Sequence, residues 1–308
     1  MLWFCVRRLA ASVPVLFAVS LVTFSLVYLV PGDPVKTLVG ERASPETIAN
    51  LRRELGLDLP LHERYLSWLS RVLSGDLGRS WVTGRPVAES IAARFPVTLR
   101  LALTAFAVST VVGVGLGVYS AMRHGGVADH VIRVVLLLAG SVPVFVMATV
   151  AMYTFGVKWR VLPVSGIGDG GWRHFILPGA VLGLYLSIHQ ARMTRSVVLE
   201  TIRQDYVRTA RAKGLPEGAV VWRHAFPNAL VTVVTLLGGS LSNLLVGSVL
   251  TETIFNLPGV GRFTVDAAYA RDFPVVMGCF LFQAVVFVLA NILVDLCYAL
   301  VDPRVRLG

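Results

Sequence analysis

Asp205-Tyr206-Val207-Arg208-Thr209-Ala210-Arg211-Ala212-Lys213-Gly214-Leu215 is a polar, basic island between long apolar runs. It is too polar to cross lipid, yet its residues suit a helix. The expected helix runs from about Tyr206 to Lys213. Gly214 is a suitable stop, and Pro216 prevents extension. Arg211 and Lys213 in the last turn complement the helix dipole. Trp222-Arg223-His224-Ala225-Phe226-Pro227-Asn228-Ala229-Leu230 follows closely. The residues alone leave three readings open. The island is a helix held on anionic lipid, a solvated basic loop, or a helix that docks into a cleft of a separate protein. The small residues Ala210, Ala212 and Gly214 favour close docking.

The apolar runs around it decide the class. The chain has 308 residues, 55% hydrophobic and only 15% charged. Soluble domains carry about 25% charged residues, so this composition reads as an integral membrane protein. A net charge of +10 in a soluble protein would raise nucleic acid as a partner. Here the basic residues lie mainly in short loops, so a membrane face explains them and no nucleic acid is expected. Cys5, Cys279 and Cys297 are scattered, without metal-ligand spacing, and read as small apolar fillers.

About 20 apolar residues cross the hydrocarbon core as a helix. Six candidates stand at about 9–30, 97–120, 131–156, 175–195, 228–251 and 275–300. The first follows Arg7 and Arg8, is too long for a signal-peptide core and reads as an uncleaved anchor. The fourth is the weakest, because His189, Gln190 and Arg192 fill its second half. With six spans both termini share a side. That side carries thirteen Lys and Arg, against five in the two short loops opposite. The positive-inside rule then places both termini in the cytoplasm. The expected division is a cytoplasmic N-terminus and first span (1–30), an external helical segment (31–95), a five-helix core (96–300) with a cytoplasmic loop at about 197–227, and a cytoplasmic tail (301–308).

The 31–95 segment is not a plain linker. Ser44-Pro45 is an N-cap followed by proline at the first helical position, and Gly56 stops that helix. A second helix is expected over about 61–73, with Tyr65, Leu66, Leu69 and Val72 on one face and Gly75 ending it. Pro86 can start a third, short helix through Ile91. In the spans, Gly113 with Gly117 and Gly179 with Gly183 make small faces that allow close helix approach.

Catalytic signatures are missing. The chain has no GxxxxGK[ST] phosphate loop, no HExxH and no GxSxG, so neither a nucleotide site nor a metal site is expected. The polar residues within spans are Asn243, Gln283, Asn291 and Asp295. Such groups usually face a bundle interior or a wet cavity. They read either as pathway or gate contacts or as glue between helices, Asp295 pairing with Arg304 or Arg306. The stretch from Glu252 through Pro258, Gly259, Gly261 and Arg262 is rich in turn formers. With Arg271 and Asp272 it reads as an external loop between the last two spans, either an ordered turn or a helix closing the outer mouth.

The island resembles the cytoplasmic loop of ABC importer permeases, whose general form is Glu-Ala-Ala, three residues, Gly, nine residues, Ile-x-Leu-Pro. Anchored on Gly214, that form falls on Arg208-Thr209-Ala210 and His224-Ala225-Phe226-Pro227. Ala210, Gly214 and Pro227 match it. Arg208, Thr209, His224 and Phe226 depart from it in the manner of the peptide-importer branch. Further blocks are similar to that branch. They are Pro31-Gly32-Asp33-Pro34, Leu55-Gly56-Leu57-Asp58, Gly75-Asp76-Leu77-Gly78-Arg79-Ser80, Pro96-Val97-Thr98-Leu99, Glu252-Thr253-Ile254-Phe255 and Arg271-Asp272-Phe273-Pro274.

The resemblance covers almost the whole chain and points to the first permease of dipeptide, oligopeptide or nickel systems. It implies an all-α membrane protein with six transmembrane helices and no ATPase site of its own. ATP and Mg would be held by two partner ATPase subunits. A second, similar permease and an extracytoplasmic binding protein would complete the complex. The helix bearing Asp205, Tyr206, Arg208, Thr209, Ala210, Arg211, Lys213, Gly214 and Leu215 would couple to an ATPase, with Arg223, His224 and Pro227 closing the coupling loop. Peptides are the substrates this branch implies first, with nickel, glutathione or another small solute as alternatives. A secondary transporter is the rival from a different class. It usually needs a midplane ion site built from broken helices.

Overall fold

The structure, a computed structural model, describes residues 2–29, 35, 43–54, 56–168 and 170–301, without the side chains of 2–5, 26–29, 51, 54 and 297–301. Pro31-Gly32-Asp33-Pro34, Leu55, Arg304, Arg306 and the tail beyond 301 lie outside the described residues. The described chain is helical, and its only bridge of strand type joins Arg79 to Pro86.

Helix α1 spans Leu2–Leu29, α2 Pro45–Glu54 and α3 Leu61–Leu73. The local signals explain α2 and α3. The Thr47 amide donates to Ser44 Oγ at 3.1 Å, which caps α2, and Gly56 (φ +64°) and Gly75 (φ +87°) turn the chain after each helix. Helix α4, Val87–Met122, runs unbroken through Pro96. The separate short helix expected from Pro86 to Ile91 is therefore the first turns of a 36-residue helix, and the boundary expected at residue 96 falls inside it. Packing on both sides of Pro96 accounts for this. Val87 and Ile91 are buried against Val260, Val275 and Cys279, and Val97 and Leu101 against Phe175 and Leu257.

The third apolar run behaves in the opposite way. It forms α5 (Val127–Gly140) and α6 (Val144–Ala151), with a π-helical turn Met152–Lys158 continuing α6. The two halves meet at a bend of 94°, so the single straight span expected over 131–156 is not what forms. Pro143 cannot donate to the helix ladder and pushes Val142 out of helical geometry. The remaining helices are α7 (Arg173–Ile202), α8 (Asp205–Ala212), α9 (Phe226–Val246), α10 (Val249–Ile254), α11 (Val260–Tyr269) and α12 (Phe273–Val301). The fifth apolar run stops at Val246, five residues before the expected end. Gly247 there adopts φ +116°, a value open to glycine.

By length and composition four stretches can cross a bilayer: Val6–Ser25, Val87–Met122, Glu217–Val246 and Phe273–Leu296. The bent pair makes a fifth. Helix α7 is 30 residues long but is not among them, because His189, Arg192, Arg195 and Glu200 occupy its second half.

Helices α4 and α7 form the centre of the fold, and each one's glycine face packs closely on the other helix. A Cβ on Gly117 would lie 2.7 Å from the Ala191 carbonyl oxygen. One on Gly183 would lie 2.6 Å from that of Ala105. Only glycine allows the backbones so close. Helix α12 packs against α1 and α9, and Arg8 pairs with Asp295 at 3.2 Å across the α1–α12 seam.

Candidate functional site

Helix α8 stands on a small apolar base. Val207 and Ala210 are buried against Val220, Ala225 and Ile202, the last residue of α7. This spacing of three residues puts both on one face. Asp205, Tyr206, Arg208, Thr209, Arg211 and Ala212 occupy the rest of α8 and are exposed, as are Lys213, Gly214 and Leu215 beyond it. Gly214 (φ +77°) ends the helix, one residue after the Lys213 cap. Arg211 then grips Glu217 through two bonds, Nε to Oε2 at 3.1 Å and Nη2 to Oε1 at 2.6 Å. That fork fixes the turn through Pro216. A π-helical turn, Val220–Ala225, carries Arg223 and His224 into α9, whose second residue is Pro227. The His224 carbonyl accepts from Asn228 Nδ2 at 2.8 Å. The Tyr206 hydroxyl is hydrogen-bonded to Asn228. Burial of that end pushes the phenol above its ordinary range, and this hydrogen bond opposes the shift. The expected helix is therefore present, backed by its own loop and bare on the other side.

A buried carboxylate supports the same end of the bundle, and the sequence reading did not single it out. Asp129, in the first turn of α5, is fully buried. It accepts from Ser120 Oγ (2.6 Å) and the Gly125 amide (3.1 Å). Arg195 holds it in a fork, Nε and Nη2 each at 2.7 Å. Arg133 and His124 lie at 3.6 and 3.7 Å. Arg195 belongs to the last part of α7, which leads into α8. One side chain thus joins the end of α4, the start of α5 and the support of the bare helix. The available signal was a lone acid among Arg123, His124 and Arg133, next to an apolar run.

The opposite end is also tied by carboxylates, in the stretch expected as a loop between the last two spans, which forms the short helices α10 and α11 joined by a turn. Glu252 is fully buried. Its Oε1 accepts from Thr98 Oγ1 (2.8 Å) and its Oε2 from the Arg262 amide (2.8 Å). Thr98 Oγ1 in turn accepts from the Val260 amide at 2.9 Å. A Cβ on Gly261 would stand 3.0 Å from Glu252 Oε2, and Gly259 and Pro258 shape the same turn. Asp272, also buried, accepts from Ser80 Oγ and from the Trp81 amide, so it anchors the 76–81 segment. Arg271 before it adopts φ +55° and is part-exposed. Glu252 lies against a glycine-rich turn because small residues let the backbone amides reach it.

Glu252→Gln is expected to lower stability by about 2 kcal/mol, since an amide turns one donor toward donors. Thermal melting of the purified protein reads this. An unchanged midpoint would remove the knot from the account.

Of the four polar residues within spans, one opens on a cavity. Asn243 is exposed in a groove between α7 and α9, with His189, Thr235 and Ser240. The others join helices. Gln283 Nε2 donates to Thr264 Oγ1 at 3.3 Å, and Asn291 Oδ1 accepts from Ser242 at 3.4 Å. Asp295 pairs with Arg8, because α1 lies against α12; Arg304 and Arg306, the partners expected for it, lie outside the described residues.

Residues 113–307 match the family described as binding-protein-dependent transport system inner membrane component. Residues 1–102 match the N-terminal region of binding-protein-dependent transport system membrane components. A putative peptide transport system permease protein of Brucella abortus is 45% identical over 306 residues, covering 97% of this chain and 98% of that protein. The dipeptide transport system permease protein DppB of Escherichia coli K12 is 40% identical over 336 residues, covering 99% of each. A chain of the MetNI methionine ABC transporter, solved in an inward-facing conformation, has a similar fold. It is 18% identical, with a TM-score of 0.56, covering 69% of this chain and 96% of that one.

Proposed function

The chain belongs to the family of binding-protein-dependent transport system inner membrane components, the permease subunits of ABC importers, and on that premise we propose that it passes peptides, di- or oligopeptides, by alternating access. The substrate reading is supported by the names of relatives that match nearly the full length. The single observation that carries the mechanism is the bare face of α8, held from behind by Val207 and Ala210. A face of that kind fits a cleft on a cytoplasmic ATPase subunit. On this reading α7 is the sixth crossing and both termini are cytoplasmic, as the excess of arginine at the α8 end favours. A second permease faces the α7–α9 groove, where Asn243 contributes to the path. Two ATPase subunits bind ATP and Mg, and this chain holds no nucleotide. A binding protein delivers peptide to the far end.

The physical task is a population shift. Moving two states from 1:99 to 99:1 takes about 5.5 kcal/mol, which must come from differential binding to the two states. ATP closing the ATPase pair would supply it through α8. The test is uptake by the reconstituted complex with its binding protein, offering labelled dipeptides, oligopeptides, nickel and glutathione. Expected is ATP-dependent peptide accumulation that persists when the ion gradient is dissipated. Accumulation of nickel or glutathione alone would overturn the peptide reading. Uptake that survives ATP removal and follows the ion gradient would overturn the importer mechanism.

A further inference from the structure

Helix α3 is amphipathic over an unusually wide arc, and only part of its apolar face is covered by protein. Tyr65, Trp68, Leu69 and Val72 pack on Phe24 of α1 and on Met277 and Leu281 of α12. Leu66 and Leu73 flank that face and remain 60% and 80% exposed. Glu63, Ser67, Ser70 and Arg71 form the opposite, polar side and are exposed.

The depth of α3 follows from what it touches. The Tyr65 hydroxyl bonds Ser20 Oγ at 2.9 Å, and its ring meets those of Phe17 and Phe24 with centroids 6.3 and 5.3 Å apart. Ser20 lies nine residues before the end of α1 at Leu29, roughly 13 Å along the helix axis. Met277 and Leu281 lie four and eight residues inside α12, roughly 6 and 12 Å from its start. A 28-residue helix is roughly 42 Å long, against a hydrocarbon thickness of about 30 Å, so about 6 Å projects at each end when it is centred. Ser20 and Leu281 therefore stand roughly 6–7 Å inside the rim of the hydrocarbon and Met277 stands at it, which puts most of the contact face of α3 below the rim. Beside it, Val15, Phe17 and Val22 of α1 are exposed and apolar, as a lipid-facing surface should be. Leu66 and Leu73 continue that surface.

We propose that α3 is an immersed interfacial helix, with Leu66 and Leu73 among the acyl chains of the leaflet on its side and the Glu63–Ser70 side at the water boundary. The 61–73 stretch is then a membrane-bound brace on α1 and α12. An amphipathic helix in a bilayer boundary typically sinks by about 5–10 Å, which agrees with the contacts to Ser20 and Leu281.

Spin labels on Leu66→Cys, Leu73→Cys and Ser70→Cys test this in the full complex in lipid nanodiscs, with the unsubstituted chain labelled alongside to subtract the native cysteines. Expected is a several-fold preference of labels 66 and 73 for dissolved oxygen over a water-soluble nickel chelate, and the reverse at 70. Labels 66 and 73 meeting the chelate as often as label 70 would overturn the proposal and leave α3 in water. Shielding of both positions from both reagents would also overturn it and assign the face to another protein surface.

Discussion

Asp129→Ala should cost the folded subunit about 3–5 kcal/mol, the usual penalty for removing one partner of a buried ion pair. The size follows from what stays behind. Arg195 keeps only 19% of its side chain exposed and loses both bonds of its fork, while Ser120 and the Gly125 amide lose their acceptor. Arg195 and His124 also line an open groove, so water reaches part of the freed guanidinium and the loss belongs at the lower end of that range. Asp129→Asn keeps the shape and one acceptor oxygen, and should fall between the variant and the unsubstituted chain. Denaturant or thermal unfolding of the purified protein measures the order. If alanine melts within about 0.5 kcal/mol of the original, the level of an ordinary surface substitution, the clip contributes nothing. The effect should also reach α8, because Arg195 lies in the part of α7 that ends at Ile202, and Ile202 packs under Val207 and Ala210.

Asp129 shows where reading by residue stops. Features that depend on neighbours along the chain were legible: the Ser44 cap, the glycine stops at 56, 75 and 214, and the α8 helix itself. Small faces at 113, 117, 179 and 183 were legible as faces, but not that each helix supplies the surface the other needs. Pro96 and Pro143 carry the same local message and act differently. One has packed residues on both sides, and the other follows Gly140 and Ser141 at a turn. The loop after Glu252 was legible as rich in turn formers, but the burial of the Glu252 carboxylate was not, since Thr98 lies far away in the chain. Here the glycines let amides close on a buried carboxylate. The pairing of Asp295 with Arg8 joins opposite ends of the chain, so no local pattern contains it. The peptide-permease resemblance bridged part of this gap, since the order of its blocks already implied one continuous family fold.

Gly214→Val is expected to cut uptake about tenfold while ATP hydrolysis and the amount of complex in the membrane stay near normal. Gly214 sits at φ +77°, and a Cβ there meets nothing within 4 Å. The substitution therefore creates strain without collision. A left-handed conformation costs an ordinary residue roughly 1–2 kcal/mol, and a β-branched one sits at the upper end. The chain relieves this by unwinding the end of α8, which carries Lys213 and the Arg211–Glu217 fork away from their places. Nothing in the span helices is touched, so insertion and assembly should persist. If α8 transmits the work of ATP binding, a joint disfavoured by 1.4 kcal/mol loses a factor of about ten in the population that can transmit it. Asparagine enters the left-handed region more readily, so Gly214→Asn should keep most of the uptake. The ratio of peptide moved to ATP hydrolysed is the decisive quantity. A merely destabilised complex would lose both in proportion and leave the ratio unchanged. A valine variant that transports at the original rate, at equal expression, would remove α8 from the coupling path. That outcome would leave the permease family intact and require another surface to carry the motor's work.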